Sequence, residues 1–108
     1  MIISYMPTEK VAVTVEAKAI RVVPETLVMT SHDEVHWVDS NLKKFTIEFD
    51  GLGPFADRRL THEMATTKRQ PERTGRYKYT VISVENPALV LDPIIIVEEP
   101  PTGPAPTP

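Results

Sequence analysis

The chain has 108 residues, with 12 lysines and arginines against 15 aspartates and glutamates, and a formal charge of −3. That length supports one domain with one hydrophobic core, and so small a charge does not steer the whole molecule toward nucleic acid or a membrane surface. There is no cysteine, which excludes disulfides, thiolate nucleophiles, iron–sulfur clusters and cysteine-based zinc fingers.

Residues 1–10 read as a lead-in. Met1-Ile-Ile-Ser-Tyr-Met-Pro-Thr-Glu-Lys10 has neither the charged start nor the long apolar core of a secretory signal, and no run approaches membrane-spanning length. The expectation is a soluble, cytoplasmic protein as written, periplasmic or secreted if a leader precedes this sequence. From Val11 the pattern becomes period-2: Val11, Val13 and Val15 point one way, Thr14 and Glu16 the other, as in a strand with one buried face. Beyond Ala19 the apolar parity shifts to Ile20 and Val22, which predicts a bulge or a crossing between sheets, ended by Pro24.

Five more apolar runs rich in β-branched and aromatic residues follow: Leu27-Val-Met29, Val35-His-Trp-Val38, Phe45-Thr-Ile-Glu-Phe49, Tyr77-Lys-Tyr-Thr-Val-Ile82 and Ile94-Ile-Ile-Val97. Between them lie turn-forming stretches such as Thr30-Ser-His-Asp-Glu34, Val38-Asp-Ser-Asn41, Asp50-Gly-Leu-Gly-Pro54 and Arg73-Thr-Gly75. Helical spacing occurs only across Phe55, Leu60 and Met64, which predicts at most one short helix near residues 55–64. Trp37, the single tryptophan, is read as a core anchor. The tail from Glu98 to Pro108 holds five prolines and no large apolar residue, so it is expected to be extended and mobile. The folded domain is therefore placed at 11–97, with a disordered Pro-rich tail at 98–108. About seven short strands in this span predict an all-β sandwich.

Three stretches, in order, are similar to the cupredoxin family, the fold of plastocyanin and its relatives. Ile20-Arg-Val-Val-Pro-Glu-Thr-Leu-Val-Met29 resembles that family's strand, proline and following strand. Asp33-Glu-Val-His-Trp37 resembles its Gly-Asp turn leading into Val-x-Trp, with His32 in place of glycine. Thr74-Gly-Arg-Tyr-Lys-Tyr79 resembles its Pro-Gly-x-Tyr-x-Tyr/Phe strand, and Ile94-Ile-Ile-Val97 its closing strand. The resemblance implies a cupredoxin-like Greek-key β-sandwich. It also locates where a copper centre would lie: a first histidine at Phe45, a cysteine at about Val81, and a second histidine and axial methionine in the loop Ile82-Ser-Val-Glu-Asn-Pro-Ala-Leu-Val90, which contains neither. A type 1 copper centre needs a thiolate, two imidazoles and a weak axial ligand. The resemblance thus implies the fold, and its electron-transfer role is not carried over; no cofactor is expected.

Other chemistry-bearing residues are sparse. His32, His36, His62 and Met64 are the remaining candidates for an unconventional copper or zinc site. Against this, His32 reads as a turn residue tolerating left-handed geometry, and His36 as an exposed strand position. Ser31-His32 on a turn, His62-Glu63 without a second histidine, and Asp92-Pro93 at a strand start match no catalytic pattern, so no enzyme is expected. The stretch from Arg58 to Lys78 carries seven of the twelve basic residues and only Glu63 and Glu72 as acids, a net of +5 that leaves −8 for the rest. Arg58, Arg59, Lys68, Arg69 and Arg73 are accordingly the candidate partner-binding residues. The expected partner is an acidic protein rather than nucleic acid, for which interleaved aromatics are missing. Exposed sheet edges offer a second route, to a partner's strand or to another copy of the chain.

Overall fold

The computed structural model describes residues 7–100, which form two packed β-sheets and one short helix. The strands are β1 (Thr8–Val15), β2 (Ile20–Val23), β3 (Thr26–Thr30), β4 (Glu34–Asp39), β5 (Phe45–Phe49), β6 (Arg59–Leu60), β7 (Gly75–Ser83), β8 (Val90–Leu91) and β9 (Ile94–Glu98); the helix α1 spans His62–Thr66. One sheet runs β2-β1-β4 and the other β3-β9-β7-β5-β6, with β8 alongside β7. The chain crosses between sheets after β2, β3 and β4, so neighbours in sequence are not always neighbours in the sheet. Residues 1–6 and 101–108, including most of the tail expected to be mobile, lie outside the described residues.

Each predicted apolar run forms a strand, and the inward positions supply the core: Val11, Val13, Val35, Trp37, Phe45, Ile47, Tyr79, Val81 and Ile95 are all fully buried or within 1 % of it. The parity shift near Ala19 has a different cause from the one predicted. Glu16 N–H donates to Ala19 carbonyl at 2.8 Å, closing a tight turn, and β1 and β2 pair antiparallel from Val15–Ile20 to Ala12–Val23. The crossing to the other sheet comes later, at Pro24. β1 also begins ahead of the valine alternation, at Thr8, because Thr8, Glu9 and Lys10 pair in parallel with Glu34, Val35 and His36.

Among the described residues there are nine strands where about seven were expected. β6 and β8 are two residues each, too short to carry a period-2 signature, and exist because Leu60 and Val90 pair with Ile47 and Ile82. The predicted helical spacing is not one element: Phe55 lies on a loop, Leu60 on β6 and Met64 on α1. Thr61 caps α1 by accepting from Met64 N–H at 3.3 Å, which starts the helix only at His62. The left-handed residue is also not His32 but Leu42, at φ 61°, following the β4 turn in which its N–H donates to Asp39 carbonyl. Among the described residues no helix is long and apolar enough to cross a membrane.

The two sheets meet through an aromatic cluster. Trp37 from the smaller sheet lies edge-on to Tyr79 from the larger one, ring centroids 5.6 Å apart, and its indole N–H donates to the Tyr79 hydroxyl at 3.2 Å. Phe55 stands edge-on to both Trp37 and Phe49, at 6.2 and 5.9 Å. Burial pushes the Tyr79 phenol up to about 12, with the Trp37 hydrogen bond partly opposing it. Tyr79→Phe is expected to cost about 1–3 kcal/mol in denaturant unfolding, since the buried indole N–H loses its acceptor. The shift adds a pH signature. Above the ordinary tyrosine value of 10.0 the unfolded phenol loses its proton while the folded one keeps it until about 12. Stability should therefore fall by up to about 1.4 kcal/mol per pH unit across that window. Alkaline unfolding curves that differ between the wild type and Tyr79→Phe only by a constant offset would contradict this.

Candidate functional site

The end of the sandwich where β4 leaves and β5 begins is the place to look for a metal centre, because Phe45 and the β7–β8 loop meet there. Phe45 is fully buried and lies opposite Ser83 in the β5–β7 ladder, two residues along from the pair Ile47–Val81. Val81 is fully buried as well. Both positions at which the resemblance would place strong copper ligands are therefore close-packed core. Ser83, which sequence reasoning passed over, is the one buried polar residue among the described residues; its hydroxyl accepts from Asn86 N–H at 3.2 Å and steadies the following loop.

A histidine is nonetheless present at this end. α1 brings His62 edge-on to the Phe45 ring, 4.9 Å between centroids. Its Nδ1 accepts from Phe45 N–H at 3.3 Å, and its Nε2 donates to Asp39 Oδ2 at 2.9 Å. An Nδ1 that accepts a backbone N–H carries no proton, so the neutral ring has its proton on Nε2, facing the carboxylate. Both ring nitrogens are spent joining the end of β4, the start of β5 and the helix. Asp39 was not singled out from the sequence, because 23 residues separate it from His62 and no local pattern links them.

The other candidate ligands are apart from this group. His32 is exposed in the β3–β4 turn, where its N–H donates to Thr30 Oγ1. His36 sits across from Lys10 on the face of β4 opposite Trp37. Met64 is partly buried against the core. Among the described residues no three His, Asp or Glu side chains converge as a metal site would require.

A cavity of about 320 Å³ opens at the same end, lined by Val15, Glu16, Lys43, Ser83, Glu85 and Leu89 among others. Lys43 and Glu85 form an exposed pair across it at 3.5 Å. None of the three histidines lines it.

The basic stretch is the better-built feature. Residues 50–73 form a long connection folded back over the aromatic cluster, and three of its arginines hold it there. Arg58 Nε donates to Phe49 carbonyl at 2.9 Å. Arg69 reaches Met64 carbonyl through Nη2 at 2.8 Å while its guanidinium lies 5.5 Å over the Phe55 ring. Arg73 Nη1 spans Gly53 and Phe55 carbonyls at 2.6 and 3.1 Å. Gly53 is required here, since a Cβ would come within 2.6 Å of the Phe49 ring. Arg59 and Lys68 are exposed on the same connection. Sequence composition showed the charge but not this division between arginines that hold carbonyls and cations left at the surface.

No protein-family model and no curated protein matches the sequence. Among solved structures, a pseudoazurin from Sinorhizobium meliltoi is similar over 87 % of this chain and 76 % of its own, with a TM-score of 0.58 and 16 % identity. Likeness at that identity establishes the fold, an all-β cupredoxin-like sandwich. The residues present do not fit the fold's type 1 copper centre. There is no cysteine in the chain, and Phe45 and Val81 offer no donor atom. Copper(II) and zinc(II) titrations are accordingly expected to show no stoichiometric binding tighter than micromolar and no rise in unfolding temperature. His62→Ala should cost about 1–3 kcal/mol with or without metal, by leaving Phe45 N–H and Asp39 without their partner. A metal-dependent stabilisation of the wild type that this variant abolishes would instead make His62 a ligand.

Proposed function

We propose that the chain is a non-enzymatic binding module, a cupredoxin-like sandwich without copper electron transfer, that presents the basic stretch Arg58 to Lys78 to an acidic protein partner. The observation that carries this reading is the state of the cations. Of the seven between Arg58 and Lys78, only Arg58 has a carboxylate within 4.0 Å among the described residues, at 3.8 Å from Glu48. A guanidinium that donates to carbonyls is fixed in place but keeps its full charge. Arg58, Arg69 and Arg73 thus contribute a positive field whose geometry is set by the fold, and Arg59 and Lys68 are exposed to make direct contacts. Holding the cations in place before binding lowers the ordering cost that a partner's carboxylates would otherwise have to offset.

The same division dictates the test. Arg58, Arg69 and Arg73 hold backbone, so changing them confounds binding with stability; Arg59 and Lys68 do not. Binding to an immobilised polyglutamate peptide is expected at low salt and should weaken as the Debye length shortens to about 8 Å at 0.15 M. Arg59→Ser with Lys68→Ser should lower that affinity by about tenfold, the loss of two rim contacts, while leaving the unfolding midpoint in place. No binding at low salt, or binding indifferent to the double change, would overturn the reading.

A further inference from the structure

The strand edges of the sandwich are not equally protected. The outer edge of β4 is covered by Arg69, whose backbone exchanges hydrogen bonds of 2.9 and 3.0 Å with Val35. β6 is only two residues long, and β2, four residues long, carries the exposed charge of Arg21. These are familiar ways of keeping an edge from pairing with another chain. β3 has none of them. Thr26-Leu-Val-Met-Thr30 contains no charge, proline or glycine, and Val28 is 52 % exposed.

The backbone parity of β3 defines what its edge offers. Ile94 N–H donates to Glu25 carbonyl, and Ser31 N–H to Glu98 carbonyl. In a parallel ladder, alternate residues bond the neighbour with both groups. Glu25, Leu27, Met29 and Ser31 therefore face β9, while Thr26, Val28 and Thr30 face outward. Thr30 is already satisfied: its N–H donates to Asp33 Oδ2 at 2.9 Å and its carbonyl accepts from Asp33 N–H at 3.1 Å. The open part of the β3 edge, among the described residues, is thus limited to the N–H and C=O of Thr26 and of Val28.

We propose that β3 pairs antiparallel with β3 of a second copy of this chain, in the register that sets Thr26 opposite Val28 and Leu27 opposite itself. A two-fold through Leu27 makes both outward pairs hydrogen-bonded pairs, so each copy's four open groups find partners in the other. The alternative centred on Val28 would set Thr26 against Thr30, whose groups the Asp33 turn has taken. No like charges meet, because none lie between Thr26 and Thr30, and Val28 from each copy covers the other's Thr26 on the outer face of a continuous sheet. The contact is one strand wide, which makes the dimer reversible and concentration-dependent. It uses no residue of the basic connection and stands independently of the function proposed above.

Sedimentation velocity of the full chain over a wide concentration range is expected to show a monomer–dimer equilibrium. Thr26→Lys with Val28→Lys places like charges opposite each other at both pairs and should weaken the dimer by about tenfold or more. Thr26→Glu with Val28→Lys places opposite charges there and should restore association to within a few-fold of wild type, which also shows that substitution at these exposed positions leaves the fold intact. A register centred on Val28 would set the V28K side chains against each other, with no relief from T26E. A chain that remains monomeric throughout, a K/K variant that associates like wild type, or an E/K variant no better than K/K would each overturn the proposal. So would binding of an unrelated extended peptide at this edge without self-association, which would assign the edge to another partner.

Discussion

The Trp37 indole N–H is the group around which the structure is arranged. A tryptophan that is fully buried in a small core must find an acceptor for that proton, and the acceptor here belongs to the opposite sheet, the hydroxyl of Tyr79. One hydrogen bond and one edge-on contact therefore set how the two sheets face each other. Filling the space beside this pair requires Phe55, which β5 and β6 cannot supply from their own positions. The chain after β5 has to turn inward to deliver it. That detour buries backbone at Gly53, Pro54 and Phe55, and buried carbonyls require donors. Arg73 donates to the carbonyls of Gly53 and Phe55, and Glu72 N–H to that of Pro54 at 2.7 Å. The cluster of positive charge on this side of the molecule is thus in part a consequence of how the tryptophan is packed.

Seen this way, the parts of the fold that were legible in the sequence are those governed by local periodicity. Val11, Val13 and Val15, or Phe45, Ile47 and Phe49, announce buried strand faces because each needs only the alternation of its own side chains. The β1–β2 turn was misread for a related reason: a four-residue turn and a bulge both shift parity, and only the pairing of Val15 with Ile20 tells them apart. β6 and β8 have no periodicity to read. The His62–Asp39 pair and the arginine–carbonyl contacts depend on residues brought together by the completed sandwich, so no spacing rule could have found them. The expectation for Trp37 succeeded because a single large aromatic in a small domain has few places other than the core to go.

The positions at which the resemblance would place copper ligands are ordinary core here: Phe45 and Val81 are fully buried. A ligand set converging at the end of a sandwich leaves polar atoms there that only the metal satisfies. Where no such ligand set is present, a buried space of this kind is best stabilised by apolar side chains. Phe45 and Val81 are those side chains. His62 serves a structural end: its Nδ1 accepts from Phe45 N–H at the start of β5, and its Nε2–H donates to Asp39 at the end of β4. An imidazole suits this position because it accepts on one side and donates on the other, bridging two strand ends that belong to different sheets.

The two surfaces that remain differ in kind, and the difference follows from what each costs the fold. The connection after β5 must exist for Phe55 to reach the core, and the charges of Arg58, Arg69 and Arg73 are held by contacts that the domain needs in any case; their field is a by-product of stability and acts over a distance of about a Debye length. The edge of β3 contributes nothing to the core beyond Leu27 and Met29, whose side chains would pack equally well if Val28 were lysine. An uncharged outer face there is unforced by packing. Where a protein retains an unprotected edge that its own stability does not require, while covering or charging its other edges, pairing is the physical role the edge is suited to.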